Sequence, residues 1–189
     1  MAEALITWEE LLLTMDPNNE LDETDRAFGE TLIEAISARA NQITKRKLAS
    51  RTYTEEVLDG EGGTMLVLPE YPVTTVTSLY IDTARTFGSD TLQTADDDYY
   101  LYSGSGKIFV PAGIPTARQC IQITYTAGLV TVPGNLKEAV VLAFAYIWKQ
   151  RSSRSLGTRS ITADGVTTQY EIDIPMSAMR TFESFRRIV

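Results

Sequence analysis

Gln119-Cys120-Ile121-Gln122-Ile123-Thr124-Tyr125 is followed, after Ala127-Gly128 and Val132-Pro133-Gly134-Asn135, by Leu136, Val140, Ala143 and Ile147. The first run alternates. Cys120, Gln122 and Thr124 take one face of an extended chain and Ile121, Ile123 and Tyr125 the other, because successive strand side chains point in opposite directions. The second run spaces its apolar residues four, three and four apart, which is one face of a helix. Val132-Pro133-Gly134-Asn135 between them is a turn and N-cap signal. The hydrophobic period thus changes from that of a strand to that of a helix near residue 130, and this change decides the fold.

Working toward the N-terminus from that point, short β-rich runs separated by Gly, Pro and Asp predict antiparallel strands over 107–110, 99–102, 73–82, 65–68 and 52–58, with 119–125 as the last. The polar, aperiodic span 83–98 reads as a long exposed loop. Before residue 50 the texture is helical. Thr7-Trp8-Glu9-Glu10 fits a capping box, in which hydroxyl and carboxylate satisfy free N–H groups at a helix start, so a short helix is predicted over 8–15. Asp16-Pro17-Asn18-Asn19 ends it. A second helix, along about 28 residues, follows from Leu21, Phe28, Leu32, Ile36 and Ile43 in one stripe. Its acids come first (Glu20, Asp22, Glu23, Asp25) and its bases last (Arg39, Lys45, Arg46, Lys47), the polarity that complements a helix dipole.

Toward the C-terminus, Ala139, Phe144 and Trp148 widen the stripe that begins at Leu136, so this helix is expected at the centre of a core. Residues 151–174 set Arg151, Arg154 and Arg159 among Ser, Thr and Gly, with too few apolar groups to fold alone, and predict a mobile loop. After Pro175, Met176, Met179, Phe182 and Phe185 predict a final helix ending at Arg186-Arg187. The fold class is α+β: a small helical bundle built from residues 1–50 and 131–189, with an antiparallel β-subdomain, 51–130, inserted in it.

Composition removes most chemistry. The chain has no histidine and one cysteine, which excludes Ser-His-Asp and Cys-His catalysis, histidine metal sites, intramolecular disulfides and cysteine clusters. Cys120, in alternating apolar surroundings, is expected to be a small buried hydrophobe. No apolar run approaches the roughly 18 to 20 residues of a membrane span. Met1-Ala2-Glu3-Ala4 lacks the plan of a signal peptide, so synthesis in a cytoplasm is expected. Asp96-Asp97-Asp98 could hold a hard cation only if other oxygen ligands converged on it, and a solvated loop explains it better. Ser103-Gly104-Ser105-Gly106 reads as a hairpin turn, since no P-loop lysine or helix follows. No enzyme, catalytic residue, metal or cofactor is therefore expected.

The net charge of −8 is unevenly placed: residues 1–30 carry nine acids and one base, 31–51 one acid and five bases, 52–130 ten acids and three bases, and 131–189 five acids and eight bases. An acidic total argues against a free-standing DNA binder, which neutralises phosphates with clustered bases. A nucleic-acid-binding module using Arg151, Arg154, Arg159, Arg186 and Arg187 is the weaker alternative. Attraction between the acidic part of one copy and the basic part of the next is the stronger.

The order of parts resembles the head-tail connector, or adaptor, proteins of tailed double-stranded DNA phages. The matching words are the basic-ended long helix, Leu68-Pro69-Glu70-Tyr71-Pro72-Val73 leading into the strand through Ile81, Ile123-Thr124-Tyr125-Thr126-Ala127-Gly128, and Val132-Pro133-Gly134-Asn135-Leu136-Lys137-Glu138-Ala139, with the short final helix after them. The resemblance covers about residues 5 to 189. It implies a virion protein forming a ring of about a dozen copies under the portal, contacting head-closure or tail components below it, with DNA passing through its channel without specific binding. It leaves a head-closure or tail-completion protein as the alternative. On this resemblance, Arg151, Arg154, Arg159, Arg186 and Arg187 are the expected contacts to the portal or a neighbouring subunit.

Overall fold

Along the chain the elements are α1 (Trp8–Met15), α2 (Glu23–Thr44), β1 (Arg51–Glu61), β2 (Met65–Val67), β3 (Val73–Ile81), β4 (Tyr100–Tyr102), β5 (Lys107–Phe109), β6 (Thr116–Ala127), α3 (Gly134–Ser152), β7 (Ser160–Ala163), β8 (Val166–Gln169) and α4 (Met176–Ser184). The structure, a computed structural model, describes residues 4–15, 21, 23–152, 160–163, 166–169 and 174–186. It divides into two units, one of residues 1–49 with 131–189 and one of residues 50–130. The fold is mixed α+β, with helices and the two-stranded β7–β8 sheet in the first unit and two antiparallel sheets in the second.

In the β unit the sheet order is β1-β6-β3, so β6 is hydrogen-bonded on both sides; a second sheet has the order β2-β5-β4. All of these pairs are antiparallel. Ile121, Ile123 and Tyr125 of β6 are fully buried with Leu68, Leu79 and Ile108, each such side chain contributing roughly 1.5–3 kcal/mol of hydrophobic stabilisation. Cys120 is buried too, although alternation would place it on the opposite face. The reason is a bulge. The β1–β6 register shifts between Leu58 and Gly60, and Gln119 takes φ 52°, which restarts the alternation. Gly60 gives the thiol its space, since a Cβ there would lie 2.1 Å from the Pro115 carbonyl oxygen and 2.6 Å from Cys120 Sγ. At the other end of the sheet Gly128, at φ 111°, turns the chain and donates its N–H to Pro72 O at 2.9 Å. The Ser103–Gly106 run joins β4 to β5, with Gly106 at φ 64°.

The helical unit shows the reciprocal capping box: Glu10 N–H donates to Thr7 Oγ1 and Thr7 N–H to Glu10 Oε2, both at 3.2 Å. Helix α2 has 22 residues, shorter than its charge gradient predicts. Lys45 at φ 55° and the Arg46 N–H on Asn41 O at 3.2 Å close it in a left-handed turn, so Lys45, Arg46 and Lys47 lie past its end. Its buried face is also not the predicted stripe: Leu32 and Ile36 are buried, with Ile33 and Ala40, but Ser37, Asn41 and Thr44 are buried there as well, and Phe28 and Ile43 are half-buried. In α3, Leu136, Val140, Ala143 and Phe144 are all fully buried, as a central helix requires. The final helix buries Ala178 and Phe182, whereas Met176 is exposed.

The prediction of a loop over 151–174 is corrected in part: α3 continues through Ser152, and β7 pairs with β8, Ser160 opposite Gln169 and Ala163 opposite Val166, while residues 153–159, 164–165 and 170–173 lie outside the described residues. The β-branched content of these strands, Ile161, Thr162, Val166, Thr167 and Thr168, supplies the reason.

Candidate assembly interface

The first turn of α1 and that of α3 are joined by one carboxylate. Glu10 closes the capping box with Oε2 and accepts a bond from Lys137 Nζ on Oε1 at 2.6 Å. The Lys137 contact, ahead of the Thr7 N–H, holds the Glu10 carboxyl below its ordinary range. Arg26 collects three more acids: Glu30 at 2.8 Å, Glu9 at 2.8 Å and Glu23 at 3.3 Å, and Glu30 above all raises the affinity of Arg26 for its proton. Four of the nine acids in residues 1–30 therefore already meet a base of their own unit. Being surface pairs, they contribute little stability each, but they reduce the net negative field that this segment can offer a neighbour.

Behind them runs a chain of aromatic contacts. The Trp8 ring lies on the notch left by Gly29, where a Cβ would come within 2.0 Å of Cζ3. Trp8 meets Phe144 edge-on at 6.3 Å, Phe144 stacks on Trp148 at 5.4 Å, and Trp148 lies 5.5 Å from Phe28. Arg151 ends the series, its guanidinium carbon 3.5 Å from the Phe28 centroid. This position is open to solvent and bordered by Thr24 and Asp25. A guanidinium over a ring face can still donate N–H groups to a planar acceptor such as a carboxylate or phosphate.

Of the other arginines expected at an interface, Arg186 is exposed just after α4, its N–H on Glu183 O at 3.0 Å. Arg154, Arg159 and Arg187 lie outside the described residues. Arg151 and Arg186 belong to the same unit but to different helix ends.

Sequence reasoning missed a basic site in the β unit. Arg85, Arg118, Gln119 and Asp59 line one open depression. Gln119, left-handed at the β6 bulge, donates its N–H to Asp59 Oδ1 at 2.7 Å. Arg85 is presented by a turn built on Asp82, a buried residue at the end of β3. The Asp82 carboxylate accepts the N–H groups of Ala84 (2.8 Å), Thr86 (2.7 Å) and Phe87 (3.0 Å) and the Thr86 hydroxyl (2.7 Å). These bonds, the Thr86 hydroxyl first, pull its pKa down to about 2. The predicted loop over 83–98 is thus fixed at its start, although it is exposed. One signal was present: Arg85 and Arg118 are two of the three bases in residues 52–130.

Asp96-Asp97-Asp98 forms a tight turn in which Asp98 Oδ2 accepts the Thr94 N–H at 2.8 Å. Among the described residues no group of three or more acidic or cysteine side chains is placed to hold a metal ion. No described helix is long and apolar enough to cross a membrane.

A family model described as head completion protein matches residues 12–188. No curated protein sequence matches the chain. Among solved structures, a chain in the neck of an empty gene transfer agent particle, computed with C6 symmetry, is 22% identical with a TM-score of 0.66, covering 99% of this chain and 92% of that one. A chain in the virion of a native gene transfer agent particle is 22% identical with a TM-score of 0.65 over the same shares, 99% and 92%. One in the neck of a native particle computed with C12 symmetry is 22% identical with a TM-score of 0.56, covering 97% and 93%.

Proposed function

Given that the chain belongs to the head completion protein family, we propose that it is the connector that joins the DNA-filled head of a tailed, phage-like particle to its tail, as a ring beneath the portal. The family fixes the coarser role, a structural one in completing the head. The finer reading is supported above all by one observation: the fold is shared, nearly end to end in both chains, with proteins of gene transfer agent necks. In the proposed ring about a dozen copies repeat one heterologous contact, in which two different surfaces of each subunit meet. The portal lies above the ring and closure or tail components below it. DNA passes through the channel without being held, because acidic walls give phosphates nothing to bind. The virion is its place of action, after synthesis in the host cytoplasm.

Arg151, Arg154, Arg159, Arg186 and Arg187 form the surface offered to the portal or the neighbouring subunit. Arg151 is the best supported of these, being exposed and already held over the Phe28 ring. Reversal of Arg151, Arg154 and Arg159 to Glu should leave the monomer folded and give DNA-filled heads without tails, or heads that leak DNA, in complementation of a phage lacking the gene. Normal titre and intact virions from that variant would reject the assignment of this surface. The family description, completion of the head, favours one second reading, a closure ring one layer further down. Cryo-EM of assembled particles separates the two: density for this chain touching the portal supports the connector, and density separated from it by another protein supports closure.

A further inference from the structure

The depression in the β unit gathers most of that unit's positive charge outside its first strand. That unit, residues 50–130, contains ten acids and only four bases, yet two of the four, Arg85 and Arg118, line the same depression. Neither side chain forms an ion pair among the described residues; the one polar contact of either side chain there is the long bond from Arg85 Nη1 to Gln119 Oε1, 3.5 Å. The site is held in place from beneath. Arg85 and Gln119 both have left-handed backbones, φ 62° and 52°, conformations that non-glycine residues keep only where surrounding bonds impose them. The bonds responsible are the Asp82 carboxylate under the 84–87 turn and Asp59 Oδ1 on the Gln119 N–H. With Asp59 in its lining, the depression has two positive charges against one negative. That balance suits one or two carboxylates. It does not suit a duplex, whose regular line of phosphates is met by an extended basic surface.

The same unit carries the matching group. In Asp96-Asp97-Asp98 the Asp98 carboxylate is used by the Thr94 N–H, and the turn is fixed by the Asp96 N–H on Tyr99 O at 2.9 Å and the Asp98 N–H on Thr94 O at 2.8 Å. Asp96 and Asp97 remain, exposed and with carboxylates bonded to nothing among the described residues. A unit carrying both a two-arginine depression and a turn with two exposed carboxylates has the two unlike surfaces that a head-to-tail contact needs.

We infer that the Arg85–Arg118 depression of one copy receives Asp96 and Asp97 of a second copy, so that β units contact each other head to tail. This contact presupposes the ring proposed above. The test uses the full chain in assembled particles, with Arg118→Glu, Asp97→Arg and the two combined. Both residues are exposed, so unchanged thermal melts are expected. Each single reversal should lower infective titre by about tenfold or more, because the fault recurs at every subunit contact, and the combination should restore it. A chain with Arg118→Cys and Asp97→Cys should give a ladder of disulfide-linked multimers from oxidised necks. The remaining thiol, Cys120, is buried and stays out of the reaction. Single reversals without effect, a combination that does not restore titre, or necks with a visible ring of this chain and no ladder would each overturn this contact while leaving the ring standing. Necks with no ring of this chain would overturn both.

Discussion

In the helical unit, elements are keyed to one another by side-chain volume: Trp8 occupies the notch at Gly29 and abuts Phe144, which stacks on Trp148. In the β unit they are keyed by backbone shape: bulges at Glu55 and Gln119, both left-handed, set the register of β1 on β6, and side chains such as Thr124, which accepts the Glu55 N–H at 3.0 Å, secure them. A contact made by side chains can be rebuilt by exchanging side chains. One made by the main chain cannot.

The largest effect expected is from Val140→Asp, which sets an unpaired charge in the fully buried face of α3 and should cost about 4 kcal/mol. Wild-type thermal stability would show that α3 is not central to its unit. Next come the two glycines, which probe the contrast directly. Gly29→Ala and Gly60→Ala should each cost about 3 kcal/mol by overpacking. Adding Trp8→Leu should recover part of the first loss, because the obstacle is a ring. Adding Cys120→Ala should not recover the second, because the Pro115 carbonyl oxygen remains 2.1 Å from the new Cβ position. Chemical denaturation of both double variants decides this, and equal rescue would erase the distinction.

A smaller effect follows from Asp82. With its pKa near 2 in the folded chain against an ordinary value of 3.8, its contribution is fully present above about pH 4 and is lost as pH falls toward 2. Asp82→Asn should therefore remove one component of acid sensitivity in that window and speed amide exchange at Ala84, Thr86 and Phe87. Hydrogen exchange at pH 5, together with melts from pH 5 to 2, checks both. The smallest effect is from Arg151→Ala, where losing the contact with Phe28 should cost about 0.5–1 kcal/mol. That change should register in tryptophan fluorescence through Trp148, with little change in melting.

The β unit was more legible than the helical one. Its six strands were predicted from turn residues and alternation, and their cores fall where expected, although β1 and β6 run several residues further. Both run past the register shift between Leu58 and Gly60, where the bulge at Gln119 interrupts alternation, so the pattern alone stops short. The capping box at Thr7 and Glu10 was legible because both partners lie within one turn. The buried face of α2 was not. Ser37 takes the Leu5 N–H at 3.1 Å and Asn41 the Leu48 N–H at 3.0 Å, so polar residues fill core positions to satisfy distant backbone groups, a need that hydrophobic periodicity does not record. The β7–β8 pair is not legible, because Ser and Thr suit a polar loop and a strand alike. The basic depression depends on Arg85, just after β3, and Arg118, near the start of β6, meeting across antiparallel neighbours, which spacing along the chain conceals.

The helical unit is made from two separated stretches, residues 1–49 and 131–189, while the β unit is one continuous stretch between them. Synthesis runs from the N-terminus, and domains fold as units when their parts are available. The β unit can therefore close on the ribosome as soon as β6 has emerged to pair with β1 and β3. The first two helices must wait, Trp8 lying beside a glycine with no Phe144 yet made. The part of the molecule translated first is thus completed last, and a message truncated before Leu136 yields a finished sheet attached to two helices that have only each other to pack against.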